Sequence, residues 1–386
     1  MGPGGRLGRR AAFREPFGNT GGGRPGLARA PGLSSSGGRT AAEAMRARPR
    51  GVSPASRLWQ CAPMVDAVCR WAGLAAALAG ALACAAGSRE ANGERPGRPR
   101  IRVLGTVQDG GLPHPACTCR RCERARRNPA ARRFVASIAI VLPDRRIFLV
   151  DATPDLAAQL DLLRDVRRAP EGRVDRSPLA GVFLTHAHIG HYLGLAYLGY
   201  EAVSTRGIPL YGTPSMLAFI EENEPWRLLV RRGHVSPRAI RPGRPVSLGG
   251  GVTVRPLSVP HRDELTDTVG FAIEGPRRSV LYVPDTDGWD RWDPPPEEIV
   301  ARFDAAIVDG TFFSGNELPG RSTAEIGHPL VRETIDRLGP VVARGTEILF
   351  THLNHSNPAL DPGSPERRLL EKAGFRVARE GEELDL

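Results

Sequence analysis

The chain of 386 residues has one lysine, Lys372, among its 53 basic residues. With 45 glycines, 35 prolines and abundant alanine, this reads as a coding bias and not as a functional signature. No short repeat period is visible. The export-like apolar stretch at 71–83 has 13 residues, too short for a bilayer span, which needs roughly 20. The net charge of +11 suggests nucleic acid at first sight, but residues 1–100 hold 16 arginines and 5 acids, leaving 37 basic and 37 acidic residues for the rest. The part expected to fold is therefore balanced, and no nucleic-acid partner is expected. Cysteine is sparse, with six residues in two groups, and Cys117, Cys119 and Cys122 stand too close together for a disulfide framework.

The first 63 residues are rich in Gly, Pro, Arg, Ala and Ser and lack apolar periodicity, so they are expected not to pack. They read as a disordered arm or as a mis-assigned start upstream of Met64. From Met64 the pattern is that of an export signal over 64–84: Arg70 as positive flank, the apolar run 71–83, and Ala81-Leu82-Ala83 as cleavage site. Cys84 directly after it resembles a bacterial lipoprotein acceptor, although Leu82 stands where a smaller residue is usual. The expectation is export to the periplasm or a lipid anchor in the membrane through Cys84. Ordinary cleavage before Cys84, or a cytoplasmic protein with a buried Ala-rich helix, are the alternatives. Residues 85–100 read as a polar tether.

From residue 101 onward, apolar runs predict strands over 101–107, 137–142, 146–151, 181–185, 208–211, 252–259, 269–273, 279–283, 305–309 and 347–351. Helices are predicted over 155–164, 193–203, 214–222, 296–302, 326–338 and 365–372. Strands come first as hairpin-like pairs, then alternate with helices, and the order recurs in the second half. An α/β (α+β) arrangement of two packed sheets with helices outside fits this, as does an open α/β sheet.

The chemistry concentrates where strands end. Gly181-Val182-Phe183-Leu184 runs into Thr185-His186-Ala187-His188-Ile189-Gly190-His191. In extended backbone, side chains two apart share a side, so His186 and His188 can hold one ion, with His191 approaching from the helix that follows. His261, Asp285 and His352 each follow an apolar run as well. If those strands are neighbours, their ends converge on one metal site. The second cluster is His114 followed by Cys117, Cys119 and Cys122. Three thiolates this close suit a structural zinc, whose fourth ligand is either His114 or His355. Tyr192, Tyr197, Tyr200, Trp226, Trp289 and Trp292 are candidates for pocket, core or rim, with 287–292 the preferred pocket wall.

In order and context, His186, His188, His191, His261, Asp285 and His352 resemble the ligands of the metallo-β-lactamase fold. The resemblance implies a four-layer αββα sandwich over residues 101–386 with a Cys-rich zinc loop at 114–122. It also implies that His186, His188 and His261 hold a first ion, that Asp285 bridges, and that His191 and His352 join Asp285 at a second. The family motif His-x-His-x-Asp-His has Gly190 in place of its aspartate, so the second ion is expected to be weak or absent. Asp287, Asp309, Glu317 and His328 are other possible donors. The cysteine cluster with His355 resembles a cyclic phosphodiesterase of phosphonate metabolism. The runs 261–271, 308–313 and 327–329 resemble the B-protein family of pyrroloquinoline quinone (PQQ) biosynthesis, which commonly lacks the His-x-His pair that this chain keeps.

Three functions follow from the resemblance. The first is a hydrolase acting on a phosphodiester or related ester, with Zn2+, Fe2+ or Mn2+ in the active site, and with Asp285 and His328 as catalytic groups. The second is an iron-dependent hydroxylase of a tyrosine-bearing peptide. The third is a non-catalytic member of the fold. The implied partner is a small-molecule or peptide substrate.

Overall fold

Most strands read as unbroken apolar runs because both of their faces are covered. In the computed structural model, which describes residues 97–386 apart from 168–171, 319 and 321–326, they form two seven-stranded sheets. The first contains β1 (Arg100–Gly105), β2 (Ser137–Val141), β3 (Ile147–Val150), β4 (Gly181–Phe183), β5 (Ile208–Gly212) and β6 (Val235–Ala239). The second contains β7 (Val246–Gly249), β8 (Val252–Ser258), β9 (Val269–Glu274), β10 (Ser279–Val283), β11 (Ala305–Asp309), β12 (Glu347–Thr351) and β13 (Arg376–Val377). The last strand, β14 (Glu383–Asp385), returns to the first sheet, whose order is β14-β1-β2-β3-β4-β5-β6. The second sheet runs β13-β12-β11-β10-β9-β8-β7.

Period-two alternation assigns each strand residue to a layer. Ile101, Val103, Ile138, Ile140, Phe148 and Val150 of the first sheet pack against Val254, Phe271, Val280, Tyr282, Ile307 and Leu349 of the second, forming the core between the sheets. Their neighbours Ala139, Val141, Leu149 and Val182 face outward and are covered by Leu156, Leu160, Met216, Ile220 and Leu229 from helices Leu156–Asp161, Pro214–Glu222 and Trp226–Arg231. On the other side Leu281, Val283, Ala306, Val308, Ile348 and Phe350 are covered by Val300, Val331, Leu338, Val341 and Leu370 from helices Pro296–Val300, Val331–Ala343 and Pro365–Lys372. The fold is thus the four-layer αββα sandwich expected of the metallo-β-lactamase resemblance.

The pairing directions position the chemistry. β3, β4, β5 and β6 are parallel, and β1 runs with them because it and β3 are each antiparallel to β2. In the second sheet β10, β11 and β12 are parallel, and β8 shares their direction through antiparallel β9. The loops leaving β1, β3, β4, β8, β10, β11 and β12 carry the candidate ligands to one place.

Several elements differ from the sequence expectation. The helix expected over 193–203 is a short helix Ile189–Tyr192 and a 3-10 helix Leu193–Leu198, because this segment lies directly on the loop after β3: a Cβ on Gly194 would sit 2.0 Å from the Thr153 carbonyl oxygen. The helix expected at 326–338 is Val331–Ala343, since Gly327 takes φ 83° and Pro329 precedes the first turn. β6 escapes detection because it contains Pro237, which a sheet tolerates at its edge. Helix Arg120–Arg127 offers only Cys122 and Ala125 to the interior and so shows almost no apolar period. The expected tether over 85–100 ends earlier, since Arg100 is already paired with Asp385 and Val141. The segments 1–63 and 64–84, with Cys84, lie outside the described residues. Among the described residues no helix is long and apolar enough to cross a membrane.

Candidate metal centre

Four ligand-type side chains meet between the sheet edges: His186 and His188 after β4, His261 after β8, and Asp285 after β10. His186 Nε2 lies 2.9 Å from His188 Nδ1, and His261 Nε2 lies 3.2 Å from the same atom. Asp285 Oδ2 stands 3.4, 3.3 and 4.0 Å from His186, His261 and His188. A tetrahedral ion with ligands near 2.0–2.1 Å requires ligand–ligand edges of about 3.4 Å, so these four atoms already form the required cage. Groups behind them fix the rings. Asp287 Oδ1 accepts from His261 Nδ1 at 3.0 Å, which turns the Nε2 lone pair inward. Thr185 Oγ1 lies 3.0 Å from His186 Nδ1 and donates to Asp151. His188 directs its other nitrogen to Glu264 at 3.2 Å.

A second group abuts the first. His191 Nε2 and His352 Nε2 lie 3.6 and 4.0 Å from Asp109 Oδ1, and 3.9 and 3.8 Å from Asp285 Oδ2. His191 Nε2, His352 Nε2 and Asp109 Oδ1 are all buried with no hydrogen-bond partner. Buried polar atoms are normally satisfied, and three orphans pointing at one spot fit a cation. Again the rings are held from behind: Asp151 Oδ2 accepts from His191 Nδ1 at 2.7 Å, and Thr311 Oγ1 lies 3.0 Å from His352 Nδ1. Both Asp151 and His352 take the left-handed backbone region, with φ of 69° and 59°. Residues other than glycine adopt that conformation only occasionally, Asp and His more readily than most, and such backbone clusters at functional sites.

Without an ion, protons balance the carboxylates. Burial alone would lower the pKa of His191, but Asp151, Asp109 and Asp285 outweigh it and push it up to about 9. His328 is driven well above the ordinary range despite its burial, because its Nδ1 lies 2.8 Å from Asp309 Oδ2 and 3.2 Å from Asp285 Oδ1. Burial would raise Asp285, yet the His352 and His328 rings hold it well below the carboxylate range. Burial, followed by the charge of His191, depresses His186 strongly. Metal binding replaces such protons with one divalent charge.

The other donors considered for the second ion have partners of their own, although Asp309 and His328 also lie close enough to Asp285 and His352 to form a further group that could hold an ion. Asp287 orients His261 and pairs with Arg291, Asp309 pairs with His328, and Glu317 accepts from the Phe313 and Ser314 backbone amides. Asp109 is not evident from the sequence, since it belongs to no His-rich motif. The usable signal is its place, in the first loop after β1, at the same sheet edge as the other ligands. Trp289 and Trp292 are no pocket wall: they pack in the core under helix Val331–Ala343, donating to Thr334 and Thr286 at 2.8 and 3.0 Å. Tyr197 and Tyr200 line a separate surface cavity of about 430 Å³ with Arg232 and His234.

The cysteine cluster closes as a Cys₃His set. His355 Nδ1 lies 3.6, 3.8 and 3.7 Å from the sulfurs of Cys117, Cys119 and Cys122. Those spacings match the S–N edges of about 3.6 Å in a tetrahedral zinc site. His114 stands outside this group; its Nδ1 is 3.0 Å from the Pro115 carbonyl oxygen and its ring packs on His355. Backbone amides of His114 and Cys119 point at the sulfurs of Cys122 and Cys117. Burial, reinforced by the two neighbouring sulfurs, pushes the Cys122 thiol up to about 12; a cation at this spot would favour its thiolate.

Comparison with known proteins agrees with this geometry. Residues 146–381 match the beta-lactamase superfamily domain. The chain is 30% identical over 319 residues to coenzyme PQQ synthesis protein B of Cupriavidus necator, covering 74% of this chain and 99% of that protein. The same protein of Cupriavidus taiwanensis is 31% identical over 320 residues, again covering 74% and 99%. The crystal structure of Zn2+-bound PqqB from Methylobacterium extorquens superposes with a TM-score of 0.64 at 26% identity, covering 74% of this chain and 100% of that one. A diphosphatase of the PhnP family shares the fold with a TM-score of 0.55 at 20% identity, over 75% of this chain and 98% of that one. The candidate ligand cage between the sheet edges, the cysteine loop and these matches over nearly the whole length of the relatives lead to one assignment: the chain belongs to the metallo-β-lactamase superfamily, in the family of coenzyme PQQ synthesis protein B.

Proposed function

We propose that this protein is a metal-dependent hydrolase acting on a phosphodiester or a related ester. The observation that carries the reading is the cage of His186, His188, His261 and Asp285, complete with groups that turn each ring inward. A divalent ion held there supplies a Lewis acid and, by lowering the pKa of water, a nucleophile at neutral pH. His328, kept cationic by Asp309 beside Asp285, places positive charge where an ester's anionic oxygens gather. Asp285, beside the ion, would hold the attacking water in place. Arg262, with a half-exposed side chain near His188, and exposed Ile189, Leu193 and Leu265 offer a charged and apolar rim for a small substrate or peptide.

The test is ester cleavage by protein expressed from Met64, loaded in turn with zinc, manganese or iron. A phosphodiester such as bis(p-nitrophenyl) phosphate should be cleaved, and H186A and H188A should each abolish cleavage while retaining the fold. A second reading, oxidation of a tyrosine-bearing peptide with bound iron, is favoured by membership of the family of coenzyme PQQ synthesis protein B. Oxygen uptake with such a peptide, and no ester cleavage with any of the metals, would replace the first reading by the second. We also propose export through 64–84, with Cys84 as a lipid acceptor.

A further inference from the structure

We infer that Asp109, on the loop leaving β1, is the carboxylate ligand of a second active-site ion and occupies the space that Gly190 leaves open. A Cβ built on Gly190 would lie 2.0 Å from Asp109 Oδ1 and 2.8 Å from its Cα. A side chain at position 190 and the carboxylate of Asp109 therefore exclude one another. The missing aspartate of the motif is a relocation: the acid has moved from the turn after β4 to the loop after β1, and glycine is what makes room for it.

Asp109 completes a group that otherwise makes no chemical sense. Its Oδ1 and the Nε2 atoms of His191 and His352 are buried together without partners. Leaving such buried atoms unsatisfied is costly. One cation between them, touching Asp285 Oδ2 on its other side, satisfies all of them. The loop is anchored for this duty. Gln108 N donates to Leu353 O at 3.1 Å and Leu353 N to Thr106 O at 3.0 Å, clipping the loop to the residue that follows His352. Gly111 N closes the turn onto Gln108 O at 2.8 Å. The inference rests on the ion-binding part of the proposed function and is independent of the reaction.

The experiment titrates metal-free protein with Co2+, following its optical spectrum, and counts bound metal by elemental analysis, for wild type, Asp109→Asn and Gly190→Ala. Wild type should hold two ions at this centre besides the one at the thiolates. Both variants should lose one of the two, with affinity for it weakened by more than about 100-fold, as expected when a ligand itself is lost and not merely its support. Gly190→Ala is the decisive variant. It removes no ligand, and its methyl group displaces the Asp109 carboxylate. Retention of thiolate-bound Co2+ and of the thermal transition shows that each variant is folded. Should Gly190→Ala fail to fold, Asp109→Asn, which keeps the shape of the side chain, carries the test. An unchanged metal count in the folded variants would overturn the inference, as would a wild type with one ion at this centre. Two ions without ester cleavage would defeat the hydrolase reading and leave this inference standing.

Discussion

Replacing Asp287 by asparagine probes how far the first cage depends on groups that never touch the ion. Asp287 is buried, and its Oδ1 receives the Nδ1 proton of His261 at 3.0 Å. That bond fixes the tautomer whose Nε2 lone pair faces His188 and Asp285. Asparagine keeps the shape but removes the charge. Either its carbonyl faces His261 as a weaker acceptor, or its NH2 group does, and the ring then carries its proton on Nε2, where the ion belongs. Loss of such a support typically costs 10–100-fold in metal affinity. At about 1.4 kcal/mol per factor of ten, this is about 1.4–2.8 kcal/mol of ion binding. Folding stability should fall by a further 1–3 kcal/mol or so, because a buried donor loses its ionised acceptor. Arg291, whose partner charge is lost, is too exposed to add much. The assay is competitive titration of metal-free protein against a chelator of known affinity, with His261→Ala as the limit of complete ligand loss. An affinity within about twofold of wild type would refute the reasoning, since it would mean that His261 holds its orientation without the carboxylate.

Three further outcomes follow from other parts of the molecule. Cys122→Ser should release the thiolate-bound zinc, lower the thermal transition, and loosen the loop 105–122, so that the ion nearest Asp109 is also held less tightly; zinc analysis and Co2+ titration check both, and an unchanged second ion would show that the loop needs no zinc. Burial pushes the Glu380 carboxyl up to about 7, so it favours the folded state while protonated; that contribution is complete below about pH 4 and disappears as the pH rises through 7. Glu380→Gln should flatten this slope, worth on the order of 2–3 kcal/mol, while keeping the carbonyl that accepts from Phe134 N, and denaturant titrations at pH 5 and pH 8 measure it. Cys84→Ala should release the protein from membranes of the expressing bacterium into the soluble exported fraction; a wild type already soluble after fractionation would remove the lipid anchor.

What the sequence made legible was the part of the molecule written in strands. β10, β11 and β12 are buried on both faces, so their apolar runs announce themselves, and the ligand-type residues that terminate them are conspicuous. Convergence followed from parallel pairing, a rule that needs no coordinates. The orienting groups were less visible. Asp151, Thr185 and Thr311 are ordinary residues whose role lies in which ring nitrogen they face, and facing is a property of packing. Short or edge strands such as β7 and β14 gave no apolar run to notice.

The balance of the second ion site turned on a contact between residues 81 positions apart. Within the motif, Gly190 looks like a deletion of chemistry, because the motif is read along the chain while a metal samples only space. Asp109 satisfies the same requirement from another strand end, and the sequence offers no mark linking the two positions except that a glycine stands where a side chain would collide. The same geometry explains the spacing of His352 and His355. β12 ends at Thr351, His352 turns back into the ion centre at a φ of 59°, and the chain then passes Leu353, pinned to the β1 loop by paired backbone bonds, before His355 reaches the three sulfurs. One four-residue segment thus holds a ligand of the second ion site and a ligand of the thiolate site, and between them the hydrogen bonds that position Asp109. Disturbing the zinc loop should therefore be felt at the second ion before the first, because His186, His188 and His261 hang from strands that this segment does not anchor.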